Sequence, residues 1–445
     1  MMITYNMQRR LFRLIIFLAT ICFLISCKSG SVNLFKATSP HEMYQSKLVS
    51  AGLDKTTMGA DWISAASMSM QKALSITIPY QETGYFAAEN VNAAAYKFNA
   101  VRGTKIQVSL QKKPTDGARI YIDIWQLPTA GSAKLLASAD TLGNDIKLDI
   151  DETGAYLIRL QPELLRSSGY TLEITTGPSL GFPTKTGKNN IQSFWGDGRD
   201  AGNRKHEGVD IFGKLRSPVV ATNDGTVVKV NENNLGGKVI WFRPKGKDYN
   251  LYYAHLDEQI AKEGQNVMAG DTLGLMGNTG NARTTATHLH FGIYTFGGAI
   301  DPLPFINPVV KPAAKITALV ANLNKTLRTK SKVTLRSSSD INSATVTQLA
   351  AGTVVKISSA TANWYKTELP DGNTGFIRSA ELVQVSNPIR KVKITLANSS
   401  VYDKPDSLAA VKLNLQEGER VDLLGNFGNY SLISGKNSQS GWIKK

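Results

Sequence analysis

Thr287-His288-Leu289-His290-Phe291-Gly292-Ile293-Tyr294 is the stretch that decides how this chain reads. Aromatic and β-branched residues follow the two histidines, and the turn-rich GNTGNARTT (277–285) precedes them, so the segment reads as a strand. Residues two apart on a strand share a face, so His288 and His290 enter one groove about 6.6 Å apart at Cα. One of them can hold a metal ion while the other stays free beside it.

Two further stretches lie upstream. Leu251-Tyr252-Tyr253-Ala254-His255-Leu256-Asp257 reads as a strand ending in a histidine. HEGVDIF sets His206 and Asp210 four apart. On a straight strand those two would sit about 13 Å apart, too far for one ion. A helix would bring an i,i+4 pair together, but Gly208 breaks helices and Val209 and Ile211 favour strands. What remains is a bent lead-in to a strand, with Gly208 permitting the bend. Both cysteines, Cys22 and Cys27, lie near the N-terminus, so the rest of the chain offers no thiolate or disulfide. A metal site here must use imidazole and carboxylate.

Taken in order, HEGVD, YYAHLD and THLHFGIY resemble the lysostaphin-type zinc metallopeptidases, the peptidoglycan endopeptidases. The likeness runs over about residues 190–305 and includes SPVVA (217–221), DGTVV (224–228) and GDTLG (270–274). It implies that His206, Asp210 and His290 bind one Zn2+ per catalytic domain. His255 and His288 would be the catalytic pair on the open side, with the division of roles between them open. The chemistry agrees: a catalytic zinc has three protein ligands and an open fourth position, and neighbouring histidines move protons. Glu207 is assigned no catalytic role, since the H-E-x-x-H arrangement needs a helix and a second histidine where Asp210 stands. Gly and Pro commonly precede the H-x-H in this family; here Ala286-Thr287 do, which bears on substrate preference and not on the metal. Asn278 and Arg283 read as a turn former and a solvated cation.

Around this segment, 445 residues imply several domains. Arg9, Arg10 and Arg13 precede an apolar run, Leu14 to Ile25, too short to span a membrane. Leu24-Ile25-Ser26-Cys27 resembles the lipobox of bacterial lipoproteins. Residues 1–26 are therefore expected to be a signal peptide, Cys27 the lipidated residue, and the protein an exported lipoprotein of the cell envelope, on the periplasmic or outer-membrane side. Residues 27–71 read as a tether with one short helix. Alternating runs such as Ile120-Tyr121-Ile122-Asp123-Ile124 indicate a β-sandwich accessory domain at 72–177.

The peptidase domain is placed at 178–310, bounded by a proline-rich stretch (302–312) and holding four of the five histidines. Residues 320–388 resemble a bacterial SH3-like barrel, and 389–445 repeat the pattern more faintly. The expected fold class is all-β and multidomain: sandwich, antiparallel peptidase sheet, SH3-like barrels. The net charge is +16, of which +10 lies after residue 310 (19 basic against nine acidic side chains), favouring an anionic partner. The chain lacks RNA-binding aromatic signatures, finger spacings and basic helices, so nucleic acid is set aside. The expected activity is zinc-dependent hydrolysis of peptide bonds in peptidoglycan, in cross-links or stem peptides. The alternative is a non-catalytic wall-binding scaffold that activates other wall hydrolases. The SH3-like modules would either hold the wall or brace the catalytic domain.

Overall fold

The computed structural model describes residues 38–445 except 115–117, 144, 186–189, 200–201 and 436–438. The signal segment, Cys22 and Cys27 lie outside the described residues. Among the described residues, no helix is long and apolar enough to cross a membrane.

The tether expectation needs correcting. Residues Pro40–Ser50 and Thr57–Gln71 are helices. Ser39 and Glu42 form a reciprocal capping box with Pro40 in the first turn, and Thr56 caps the second helix through Gly59 N. Trp62 is buried, stacks on His41 at 4.7 Å and donates Nε1–H to Pro162 O at 2.8 Å. These contacts dock both helices on the sandwich. The apolar seam is short (Leu48, Trp62 and Ala66 are its buried apolar members), so hydrophobic period alone understates the helices.

One sheet of the sandwich runs in the order Leu74–Ser75, Ala94–Ala100, Gly154–Pro162, Ile120–Leu127, Lys134–Asp140. The other comprises Tyr80–Phe86, Ser168–Pro178, Thr104–Lys113 and Ile146–Asp149. It does not stop at Tyr80–Phe86. That strand pairs onward with Val354–Thr361 through Thr83↔Ala360 and Gly84↔Ser359, so the sandwich and the first SH3-like module share a sheet. They share a core too, since Trp364 and Phe376 pack with Tyr96, Ile106 and Leu172. At the seam Gly84 is required by close approach: a Cβ there would lie 2.4 Å from the Tyr170 ring.

In the first SH3-like module, Val333–Arg336 pairs with both Thr345–Leu349 and Thr374–Arg378, and the meander Val354–Thr361, Trp364–Glu368, Thr374–Arg378 closes it. The last segment repeats this connectivity. Ser399–Tyr402 pairs with Val411–Leu415 and Ser440–Lys444, and Arg420–Phe427, Tyr430–Ser434, Ser440–Lys444 form the meander.

Between these units lies an antiparallel sheet in the order Ile191–Ser193, Val209–Phe212, His288–Thr295, Asn250–Gln259, Gly237–Pro244, Gly225–Asn233, Asn266–Val267. Outside its bulges its two faces follow alternation. Val209, Ile211, Leu289, Phe291, Ile293, Leu251, Tyr253, Ile240 and Phe242 form a core with no exposed surface. Their neighbours Asp210, His288, His290, Tyr252 and Trp241 therefore fall on the opposite face, and that face carries the site. This unit is tied to the sandwich by Ser179 N–H donating to Gly103 O at 3.0 Å and by a Lys247–Asp149 ion pair at 2.9 Å.

Candidate metal centre

Register brings the first ligands together. Val209–Phe212 and His288–Thr295 are adjacent and antiparallel, with Asp210 opposite His290 and Phe212 opposite His288. His206 lies just before the first strand, where the backbone bends back over the sheet. Gly208 makes room for this, since a Cβ there would sit 2.7 Å from the His290 ring and 2.6 Å from Phe291 O. The result is a tight triangle. His206 Nε2 and His290 Nδ1 are 2.9 Å apart, and each is 3.0 Å from Asp210 Oδ1. All three side chains are largely buried.

The far nitrogens decide what this triangle is for. His206 Nδ1 donates to Phe194 O at 2.9 Å, so in its neutral tautomer Nε2 bears a lone pair. That lone pair faces a carboxylate oxygen and a second imidazole nitrogen. Three Lewis-base atoms aimed at one point repel one another unless a shared proton or a metal cation lies among them. The donor set, two imidazoles and one carboxylate, fits zinc. Burial pushes the Asp210 carboxyl upward, but the hydrogen bonds and charge of His206 and His290 outweigh this and hold it far below the usual carboxylate range. Burial lowers His290.

His288 and His255 stand on the open side. His288 Nε2 is 3.9 Å from Asp210 Oδ1, its Nδ1 donates to Ala286 O at 2.8 Å, and its ring stacks on Phe212. His255 arrives by a different device. Its strand does not end there but continues to Gln259, and between Ile240↔Tyr253 and Lys238↔Leu256 the register shifts. His255 sits in this bulge with φ +62°, a left-handed conformation uncommon outside glycine. The bulge turns a residue that alternation would send toward the core onto the groove face. Its ring lies 4.9 Å from His288 and 5.9 Å from His290, and Nδ1 donates to Thr279 O at 2.9 Å. Burial first, then repulsion from His288 and His290, lowers His255 to about 4, so it is neutral at pH 7. Both flanking histidines present Nε2 to the groove.

Glu207 is exposed and accepts a hydrogen bond from Tyr294 OH at 3.3 Å. Asn278 is half-buried in the loop before the H-x-H strand, and Arg283 is exposed after the short 3-10 turn Gly280–Ala282. Sequence reasoning passed over two residues. Thr279 supplies the carbonyl that orients His255, and Arg199 Nη2 contacts Asp210 Oδ2 at 2.8 Å. Neither has a local signal, because Thr279 lies in a loop and Arg199 on a hairpin apart from the ligand-bearing strands.

An imidazole–carboxylate triad on an open sheet face, flanked by two more imidazoles, is a donor set that could hold a metal ion. Residues 204–302 match the family model "Peptidase family M23", and residues 331–383 match "Bacterial SH3 domain". The chain carries an M23 peptidase domain followed by a bacterial SH3 domain. An uncharacterized metalloprotease of Haemophilus influenzae is 40% identical over 101 residues, which is 22% of this chain and 21% of that protein. An L-Ala--D-Glu endopeptidase of Bacillus subtilis is 36% identical over 127 residues, 26% of this chain and 39% of that one. The murein hydrolase activator NlpD of Salmonella dublin is 33% identical over 132 residues, 30% and 33% of the two chains. The chain thus spans two fifths or less of the length of these relatives.

Proposed function

We propose that this protein is a zinc-dependent endopeptidase that hydrolyses peptide bonds in bacterial peptidoglycan, in cross-links or stem peptides. His206, Asp210 and His290 hold the zinc, and His255 and His288 are the catalytic pair. The observation that carries this reading is the convergence of three ligand atoms within 4.8 Å of one another, with the far nitrogen of His206 committed to a backbone carbonyl. Bound there, zinc supplies Lewis acidity that polarises a peptide carbonyl and acidifies water. The chain's own groups do the rest. His255 and His288 donate Nδ1–H to backbone carbonyls, which fixes their rings and leaves each Nε2 free to take or give a proton. One accepts the proton of the attacking water and the other protonates the leaving amine. The neutrality of His255 at pH 7 suits it to begin as acceptor.

The likeness to a murein hydrolase activator favours a second reading, a non-catalytic scaffold that activates other wall hydrolases. The presence of all five side chains supports the enzyme instead. The protein is further proposed to be exported and anchored in the envelope membrane by a lipid on Cys27, after removal of residues 1–26. The shared sheet supports bracing as the role of the first SH3-like module, with wall binding falling to its remaining basic surface.

The test is digestion of purified peptidoglycan with the protein, products read by mass spectrometry, with and without a chelator and zinc restoration. New free amines and loss of cross-linked species, abolished by chelation and restored by zinc, are expected. A zinc-loaded protein that yields no products supports the scaffold.

A further inference from the structure

We propose that Arg199 is a positioning residue for Asp210, holding the carboxylate so that a single oxygen faces the metal. This rests on the zinc reading above. Asp210 Oδ1 is the oxygen inside the triangle, 3.0 Å from His206 Nε2 and 3.0 Å from His290 Nδ1. Oδ2 points out of it and accepts from Arg199 Nη2 at 2.8 Å. The same nitrogen donates to Ser193 Oγ at 2.6 Å.

Arg199 belongs to neither ligand-bearing strand. It stands on a small hairpin, Gly198–Arg199 against Arg204–Lys205. The loop leading into that hairpin also orients His206. Phe194 O accepts from His206 Nδ1, and the backbone bonds His206 N–H to Asp197 O at 2.8 Å and Gly196 N–H to His206 O at 2.9 Å tie the two segments. Asp197 Oδ2 accepts from Phe194 N at 2.7 Å and from Ser193 Oγ at 3.0 Å, closing the loop on itself. One short loop therefore holds the outer oxygen of one ligand and the outer nitrogen of another.

A carboxylate free at both oxygens can chelate an ion through both. Engaging Oδ2 in a charge-assisted hydrogen bond reserves Oδ1 as the sole ligand atom. Coordination by the protein then stays at three atoms, and a fourth position remains for substrate chemistry. Arg199 is a positioning residue in this account, because it acts through Asp210.

The experiment uses the full protein with Arg199→Ala and with Arg199→Met, which keeps the apolar stem and serves if the alanine variant does not fold. Two properties are measured: zinc affinity by competition with a chromogenic chelator, and the visible spectrum of the cobalt-substituted protein. Loss of the guanidinium is expected to weaken zinc binding by about 10- to 100-fold. The cobalt bands should weaken in intensity as the carboxylate turns bidentate and coordination number rises. A purely structural role would lower stability without moving that spectrum. Parental zinc affinity with an unchanged cobalt spectrum in either variant overturns the positioning role and leaves the zinc reading standing. Tight zinc binding retained by His290→Ala overturns the zinc reading itself.

Discussion

Around Glu82, every carboxylate oxygen meets a donor. Tyr80 OH donates to Oε2 at 2.8 Å, Tyr170 OH to Oε1 at 2.9 Å, Ser359 Oγ to Oε2 at 3.0 Å, and Tyr96 OH reaches both oxygens at 2.7 and 2.8 Å. Lys366 Nζ, buried and lowered by desolvation, completes the cluster by donating to Tyr96 OH at 3.1 Å. Around Asp210 the plan is the opposite. Acceptors converge on acceptors, and the hydrogen bonds lie outside the triangle: His206 Nδ1–H donates to Phe194 O, and Asp210 Oδ2 accepts from Arg199 Nη2. The first cluster is a closed circuit that joins the sandwich to the first SH3-like module. The second is complete only with a cation. Burial of ionisable groups alone therefore does not mark a functional site; the direction of donors and lone pairs does.

The largest expected effect tests the open cluster. His290→Ala should abolish zinc binding and reduce peptidoglycan cleavage by at least about 10³-fold, the several kcal/mol that Lewis-acid stabilisation contributes. In the absence of zinc the variant should melt close to the parent, because the substitution removes only one proton-sharing contact among the ligand atoms. Zinc should raise the melting temperature of the parent and not of the variant. A marked loss of metal-free stability would make the triangle a structural cluster like the one at Glu82 and break the comparison.

Next comes the closed cluster. Glu82→Leu removes the acceptor of four hydroxyl groups at a buried seam, and a loss of about 3–5 kcal/mol is expected in urea unfolding. Zinc affinity should stay at the parental value, since the seam and the metal triangle lie in different sheets. Zinc lost together with stability would show that the two regions form one unit.

The two clusters also differ in how far the sequence reveals them. His288 and His290 are legible because a period of two puts them on one face, and the bend at His206 follows from Gly208 with Val209 and Ile211 behind it. His255 is legible as a residue but not as a position. Its ring reaches the groove through a bulge with a left-handed backbone, which no local residue preference announces. Arg199 reaches Asp210 from a hairpin outside the H-x-x-x-D motif. The helices over 40–71 had a written signal, Ser39 with Glu42 three residues on, but a thin apolar seam hid it. The seam at Glu82 left no trace, because alternation along Tyr80–Phe86 puts Glu82 on the buried face with Tyr80, Gly84 and Phe86, but nothing local names the donors that satisfy it there. Its partner Ser359 lies 277 residues away.

His41, the one histidine outside the peptidase domain, sharpens the comparison with a third arrangement. It is buried, stacked on Trp62, and paired through Nε2 with Gln161 Oε1 at 2.6 Å. Burial first, and then the nearby Arg159 charge, lowers it to about 4, against opposition from Gln161 and Glu42. The folded state thus prefers neutral imidazole, and the unfolded chain binds the proton near pH 6.5. Stability from this group is present above pH 6.5 and is lost as pH falls toward 4, by about 3 kcal/mol. Urea unfolding at pH 7 and pH 4 should show that much extra acid sensitivity in the parent relative to His41→Phe. Equal acid sensitivity would mean that His41 titrates alike in both states.

The smallest effect asks whether the closed cluster is a network or a single essential bond. Tyr170→Phe deletes one hydroxyl and keeps the ring that stacks on Phe86 at 4.9 Å. Glu82 Oε1 still accepts from Tyr96 OH at 2.8 Å, so no oxygen is left without a donor. The expected cost is about 1 kcal/mol, the net worth of one hydrogen bond, well below that of Glu82→Leu. In the Glu82→Leu background the same substitution should cost nothing or stabilise, because it removes a hydroxyl that has already lost its acceptor. The cycle isolates the coupling between the two groups. A full 1 kcal/mol in both backgrounds would mean that Tyr170 contributes through its ring environment, and the closed circuit around Glu82 would then be three hydroxyl groups rather than four.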